Sequence, residues 1–362
     1  MEERKVRVAI TQGDTNGIGY ELIFRTFAAL ELLELCTPVV YGSPKVAAYH
    51  RNALNMEANF TIISKAEEAR DGRVNLLACV DDEVKVELGT ATKESATAGV
   101  KALKRAVADV KAGLCDVLVT APLDRSEAAG FSGHQAFLEK TLGEEGKSIS
   151  LLLTESLRMA FLTSDIALKE VAAKVTEENI VTTVTRLFEV LRRDWRFSNP
   201  RVAVMALNPN ADGAEEQNTI VPALKQLEEN RVNVFGPYAA VDFFGMGHYD
   251  AFDGVLAMYH DQGMAPLKAL ADDRAVRLLT GLSVVVTEPA LSPFANTAQT
   301  ELSEAPMRQA IYAAIDVWRN RQTYDAPMTN PLPKLYHEKR DESEKVRFSI
   351  PKKHENSIKE RL

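Results

Sequence analysis

The string Tyr259-His260-Asp261-Gln262-Gly263 places an imidazole, a carboxylate and an amide in consecutive positions. Groups of that kind are costly to bury without a purpose, and the chemistry open to them is metal ligation or general acid–base work. Lys268, eight residues beyond His260, is spaced to reach back over the same place as a clamp for a phosphate or carboxylate. A second constellation, Ser132-Gly133-His134-Gln135, stands just before a helical stretch, where unpaired N–H groups and the positive helix end suit a phosphate. On local grounds alone the plainer alternative there is favoured, with Ser132 capping the helix and His134 on the surface. A glycine-rich loop, Gln12-Gly-Asp-Thr-Asn-Gly-Ile-Gly19, lacks both the Gly-Lys-Ser/Thr of a Walker loop and the third glycine of a dinucleotide fingerprint. Among the remaining histidines, His50, His337 and His354 read as surface residues, and His248 lies in a glycine-flanked loop.

These groups need elements to hold them. Gly254-Val-Leu-Ala-Met258 reads as a buried strand running straight into His260. Three other apparent strands end on polar residues: Leu118-Val-Thr-Ala-Pro122, Phe161-Leu-Thr-Ser-Asp165 and Met205-Ala-Leu-Asn-Pro-Asn210. Ligands of open α/β sheets bind at the carboxyl edge, so four such ends predict one cleft. Strands at Lys5–Thr11, Pro38–Tyr41, Phe60–Ile63, Val74–Cys79 and Asp116–Thr120 alternate with helices at Glu21 to about Leu33, Ala96–Ala112 and Gln135–Leu142. Paired strands are expected near Ser150–Leu153 and Met159–Leu162. Thr176, followed by Glu177 and Glu178, opens a further helix to Asp194. The alternation predicts an α/β fold, a mostly parallel sheet flanked by helices.

Composition narrows the class. At 362 residues, 46% hydrophobic and 26% charged, the chain has the make-up of a soluble globular protein of two lobes. A net charge of −8 argues against a nucleic-acid partner. The charged start, Met1-Glu-Glu-Arg-Lys, and the lack of any long apolar run argue against export and membrane insertion, so a cytoplasmic location is expected. Cys36, Cys79 and Cys115 sit among apolar residues without metal-type spacing and read as buried thiols. Just over half of Lys334–Leu362 is charged, which predicts a solvated extension over 331–362.

Several motifs, in order, resemble the 4-hydroxythreonine-4-phosphate dehydrogenases of vitamin B6 synthesis. They are the opening loop from Ile10 to Gly19, Thr120-Ala-Pro-Leu, Ser132-Gly-His-Gln-Ala-Phe-Leu138, Leu207-Asn-Pro-Asn-Ala, Gly213-Ala-Glu-Glu216, Phe235-Gly-Pro-Tyr238 and Ala257-Met-Tyr-His-Asp-Gln-Gly263. The resemblance covers roughly residues 5 to 330. It implies a two-lobed fold like that of isocitrate and isopropylmalate dehydrogenases, with lobes of about 1–125 plus 270–330 and 126–269, an interlobe cleft and a homodimer that completes it. It also implies NAD or NADP, a divalent metal (Mg, Mn, Zn or Co), and oxidation of a phosphorylated amino-acid alcohol followed by loss of CO2.

Carried over by position, the resemblance makes His260 a metal ligand. It places Asp165 and Asn210 where the family has two further histidines. Substrate positions fall at His134, Gln135, Lys268 and Arg277, and catalytic roles at His260, Asp261 and Lys268. The family's Arg-Thr-Ser-Val-Asp-His-Gly run is here Val286-Thr-Glu-Pro-Ala-Leu-Ser292, which removes its arginine and histidine, while Arg277 replaces an asparagine. A carboxylate and an amide in place of two imidazoles shift the metal preference towards magnesium or manganese. No residue is identified for cofactor binding. Alternatives are a dehydrogenase for another phosphorylated hydroxy acid, a phosphate-acyltransferase-like enzyme, and a catalytically degenerate metabolite-binding protein.

Overall fold

The structure is a computed structural model that describes residues 4–81, 83–164, 166–271, 274–295 and 302–329. Residues Met1–Asp325 cluster into one compact unit; of a second, Ala326–Leu362, only 326–329 are described, as the end of the helix Ala305–Thr329. Asp165 and the charged extension 331–362 lie outside the described residues.

Among the described residues twelve strands form one sheet. In chain order they are β1 (Val6–Thr11), β2 (Cys36–Gly42), β3 (Thr61–Ile63), β4 (Asn75–Ala78), β5 (Val117–Thr120), β6 (Ile149–Leu153), β7 (Arg158–Phe161), β8 (Val202–Met205), β9 (Val234–Tyr238), β10 (Gly254–Ala257), β11 (Val276–Thr280) and β12 (Val286–Pro289). Their order across the sheet is β3-β4-β2-β1-β5-β12-β11-β6-β7-β10-β8-β9. The first six are mutually parallel, and so are the last four. Between the two blocks, β12–β11, β11–β6 and β6–β7 pair antiparallel. Three reversals in succession make the two parallel blocks run in opposite directions.

That seam corrects the expectation of a single carboxyl edge. The ends of β7, β10 and β8 share one edge, because β10 lies between the other two. The end of β5 belongs to the block that runs the other way.

Local sequence explains most of the elements. The helix Glu177–Asp194 starts where Thr176 accepts a hydrogen bond from the Asn179 N–H, with Glu177 and Glu178 in its first turn and Arg192 and Arg193 in its last. The alanine-rich helix Lys93–Lys111 begins at a reciprocal Thr92–Ser95 cap. The stretch expected as one helix from Glu21 divides into Gly19–Ala28 and Leu32–Leu35; Leu32 and Leu33 are buried and Leu30 is left exposed. Central strands such as β5, β8 and β10 are buried along their whole length, as parallel strands covered on both faces must be. None of the described helices is long and apolar enough to cross a membrane.

Candidate active site

His260 does not sit in a loop. It is the first residue of the helix His260–Ala271, separated from β10 by Met258 and Tyr259. Its Nδ1 lies 2.8 Å from an Asp261 carboxylate oxygen, and its ring stacks on Phe161 at 5.9 Å. A carboxylate only accepts, so Nδ1 carries the proton and Nε2 of the neutral ring holds the lone pair. Asp261 is almost fully solvated, and its charge suits the first turn of the helix. Gln262, the third member of the trio, is committed elsewhere. Its Oε1 accepts from the Met258 N–H at 2.7 Å and its Nε2 donates to the Ala206 carbonyl at 2.6 Å, tying the end of β10 to the end of β8. Gly263 is required by space, since a Cβ there would lie 2.1 Å from Met159 Sδ.

His134 opens the helix His134–Leu142. Ser132 is not its cap: the capping position is Gly133, at φ 102°, and no side chain caps the helix. His134 is buried rather than on the surface, edge-on to Phe131. Both parts of the plainer alternative are therefore overturned. The uncapped N–H groups of this nine-residue helix and the His134 ring stand together at its start.

The link between His134 and the rest of the site is Glu288, on β12. Its Oε2 lies 2.8 Å from His134 Nδ1 and accepts from the Thr120 hydroxyl, and its Oε1 accepts from Arg277 at 2.8 Å. Burial alone would raise this carboxyl, but His134 and Arg277 outweigh it and hold it down at about 2. Arg277 and Glu288 are direct partners across the antiparallel β11–β12 ladder, so their side chains share a face. Asp124, nearby, is pushed up by burial against the opposing influence of His134.

A cavity of about 820 Å3 joins these segments. His134, Gln135, Arg277 and His260 all line it, together with Glu288. Its floor is the seam, through Ser150 and Leu152 of β6 and their partners Leu279 and Arg277 of β11. Arg125 and Arg186 add positive charge to the wall. Asn210, Asp261 and Lys268 are not among the lining residues. Lys268 donates to the Ala290 carbonyl at 2.8 Å, just past β12. Asn210 is exposed in the turn after β8. That turn is braced by Glu216, which accepts from the Leu207 and Asn208 N–H groups at 2.8 Å each. Val286 is buried in the core and adds nothing to the cavity.

Other sequence expectations resolve as structural features. The loop Gln12–Gly19 is packed, not open: Gln12, Asp14, Thr15 and Asn16 are buried and Ile18 N–H bonds to the Pro293 carbonyl. His50 is buried, not on the surface; it hydrogen-bonds to the Thr15 carbonyl, and burial lowers its pKa. Cys36 and Cys115 are buried and Cys79 partly so; burial pushes their thiols up to about 12, 11 and 12 respectively, which leaves them protonated and unreactive. Among the described residues no three histidine, cysteine or carboxylate groups converge as a metal cluster.

Sequence reading missed Glu288, Arg125 and Arg186. A strand-end glutamate in the run after Val286 was the available signal, but its partner Arg277 becomes visible only once β11 is paired with β12.

Comparisons with known proteins identify the family and the fold. The family model described as pyridoxal phosphate biosynthetic protein PdxA matches residues 34–314. A 4-hydroxythreonine-4-phosphate dehydrogenase of Bacteroides thetaiotaomicron is 48% identical over 96% of this chain and 98% of its own length. One from a Sulfurihydrogenibium species is 32% identical over 78% of this chain and 89% of its own. A crystal structure of the Klebsiella pneumoniae 4-hydroxythreonine-4-phosphate dehydrogenase superposes with a TM-score of 0.75 at 26% identity, covering 87% of this chain and all of that one.

Proposed function

The chain belongs to the family of pyridoxal phosphate biosynthetic protein PdxA, and from that premise we propose that it oxidises the secondary alcohol of 4-phosphohydroxy-L-threonine with NAD or NADP. The β-keto acid then loses CO2 to give 3-amino-2-oxopropyl phosphate. The observation that carries this reading is the single cavity lined by His134, Gln135, Arg277 and His260, residues drawn from both sides of the seam. The strand order supports lobes of 1–125 plus 270–330 and 126–269, because β6 to β10 fall in one group and the remaining strands in the other.

The residues divide the work by chemistry. The uncapped start of the helix His134–Leu142, with the His134 ring, is suited to the phosphate. The Arg277 guanidinium has donors beyond the one bonded to Glu288 and is suited to an anionic group of the same substrate. Near the hydroxyl, His260 presents Nε2, with Nδ1 fixed by Asp261. A bound nicotinamide would take hydride from the carbinol carbon, and the hydroxyl proton would pass to solvent in the cleft, with His260 Nε2 serving as the cation position. In the second step the bond to the carboxylate breaks, its electron pair passes into an enol, and a carbon takes up a proton.

Adjacency of β10 and β8 supports a cation position at His260 with Asn210, and family membership adds Asp165, an oxygen-rich donor set suited to magnesium or manganese more than to zinc or cobalt. A divalent ion there would polarise the hydroxyl oxygen and favour the alkoxide. Family membership also supports a homodimer whose second copy completes the cleft.

The test is direct. The purified full chain, given 4-phosphohydroxythreonine, NAD or NADP and a panel of divalent ions, should form reduced nicotinamide at 340 nm and release CO2 in equal amount. Absence of both products under every combination would overturn the reading. Turnover only with another phosphorylated hydroxy acid would keep the reaction and change the substrate.

A further inference from the structure

The residues on either side of the seam carry a charge arrangement that the proposed reaction does not by itself require. Glu288 is a carboxylate inside a cavity expected to receive an anion, and it is only 8% exposed at its side chain. Both of its oxygens are engaged by protein groups, Oε1 by Arg277 and Oε2 by His134 and Thr120. It therefore has no unengaged oxygen to offer a ligand, and its effect must pass through its partners.

We propose that Glu288 is a positioning residue that sets the His134 imidazole and the Arg277 guanidinium side by side as a fixed pair of donors for the phosphate of the substrate. The two oxygens of one carboxyl group lie close together, so the two side chains bonded to them are neighbours. Nδ1 donates to Glu288, which turns Nε2 outward, where the doubly protonated ring donates to a phosphate oxygen. Arg277, 40% exposed at its side chain, keeps part of its guanidinium towards the cavity.

Strand register explains how this cation came to serve the site. Leu279 lies opposite Val286 on the β11–β12 ladder, and Arg277 opposite Glu288. Positions 277 and 286 are thus diagonal neighbours on one sheet face, close enough for a long side chain to span. Of the two, Arg277 lines the cavity and Val286 is packed into the core. Arg277 is held by an ion pair with Glu288, which lies directly opposite. The cation at 277 therefore comes with its own counter-ion on the facing strand.

The inference rests on the function proposed above, and the experiment separates the two. Wild-type turnover of 4-phosphohydroxythreonine is measured first; its absence counts against the proposed function and leaves the phosphate arm of the test intact. In E288Q the side chain keeps its size, but it loses its charge and presents one acceptor where two are used. KM for the phosphorylated substrate should rise tenfold or more, and should rise by a larger factor than kcat falls. The Ki of inorganic phosphate as a competitor, or its Kd by calorimetry, should rise by a similar factor. Inhibition by unphosphorylated 4-hydroxythreonine should move less than twofold. The conservative variant E288D should recover part of the lost affinity. Because removing one partner of a buried pair threatens the fold, R277Q/E288Q is made in parallel, leaving no orphaned charge. It should show the same tenfold loss for phosphate while keeping wild-type circular dichroism. Wild-type KM and phosphate affinity in either folded variant would overturn the proposal, as would an equal loss for the unphosphorylated compound.

Discussion

At the scale of single residues, His260 concentrates the chemistry. Its Nδ1 is occupied by Asp261 and its ring by Phe161, which leaves Nε2 as the one atom able to accept a proton or a cation. His260→Ala should therefore lower kcat by about 100-fold or more while the dissociation constant for NAD, read by fluorescence titration, stays within a few-fold of wild type. Circular dichroism must first confirm the fold. A folded variant with near wild-type kcat would make His260 a structural residue. The sequence showed His260 and His134 through their places beside a strand and a helix. It did not show Glu288, because one carboxylate becomes a site residue only when β5, β12, β11 and the start of the helix His134–Leu142 converge on it. His50 was misread for a related reason. Its polar neighbours in sequence suggest a surface, whereas Tyr20 and the Thr15 carbonyl, which bury it, come from another segment.

At the scale of elements, Gln262 shows how a residue read as chemical can be architectural. Its two ends bind backbone groups of neighbouring strand ends, Met258 N–H and Ala206 carbonyl. Gln262→Ala would leave both without that partner, and a loss of about 1–3 kcal/mol in urea unfolding is expected. An unchanged midpoint would mean that other groups replace the amide. KM should suffer less than stability, since Gln262 is not among the residues lining the cavity. The helices were the most legible elements. The run Glu177–Asp194 could be bounded from Thr176 and its acids because capping is local chemistry. The strands at Ser150–Leu153 and Met159–Leu162 were recognised as a pair, and they do form the antiparallel β6–β7 ladder. Their role as part of the cavity floor was not legible, because it depends on β11, which arrives more than a hundred residues later.

At the scale of the whole unit, the long helix Ala305–Thr329 is pinned to the core by Arg321. Its guanidinium forms a buried pair with Asp194, at 2.7 Å, and donates to the carbonyls of Leu282 and Val284. Arg321→Met should cost about 3–5 kcal/mol, measured by denaturant unfolding, because Asp194 is left as an uncompensated buried charge. The double variant R321M/D194L should be less destabilised than that single one. A single variant costing under about 1 kcal/mol would show that solvent reaches the pair. Alternation of strands and helices was enough to predict a mostly parallel sheet. It carries no record of strand order, so the reversal between the two blocks was hidden. That reversal has a mechanical consequence. At the base of the cavity is the β11–β6 ladder, which runs from Val276–Leu153 to Thr280–Ile149. Prising the walls apart by rigid rotation would strand buried N–H and C=O groups. Torsion of that ribbon is the deformation that would change the gap between the walls while keeping those bonds.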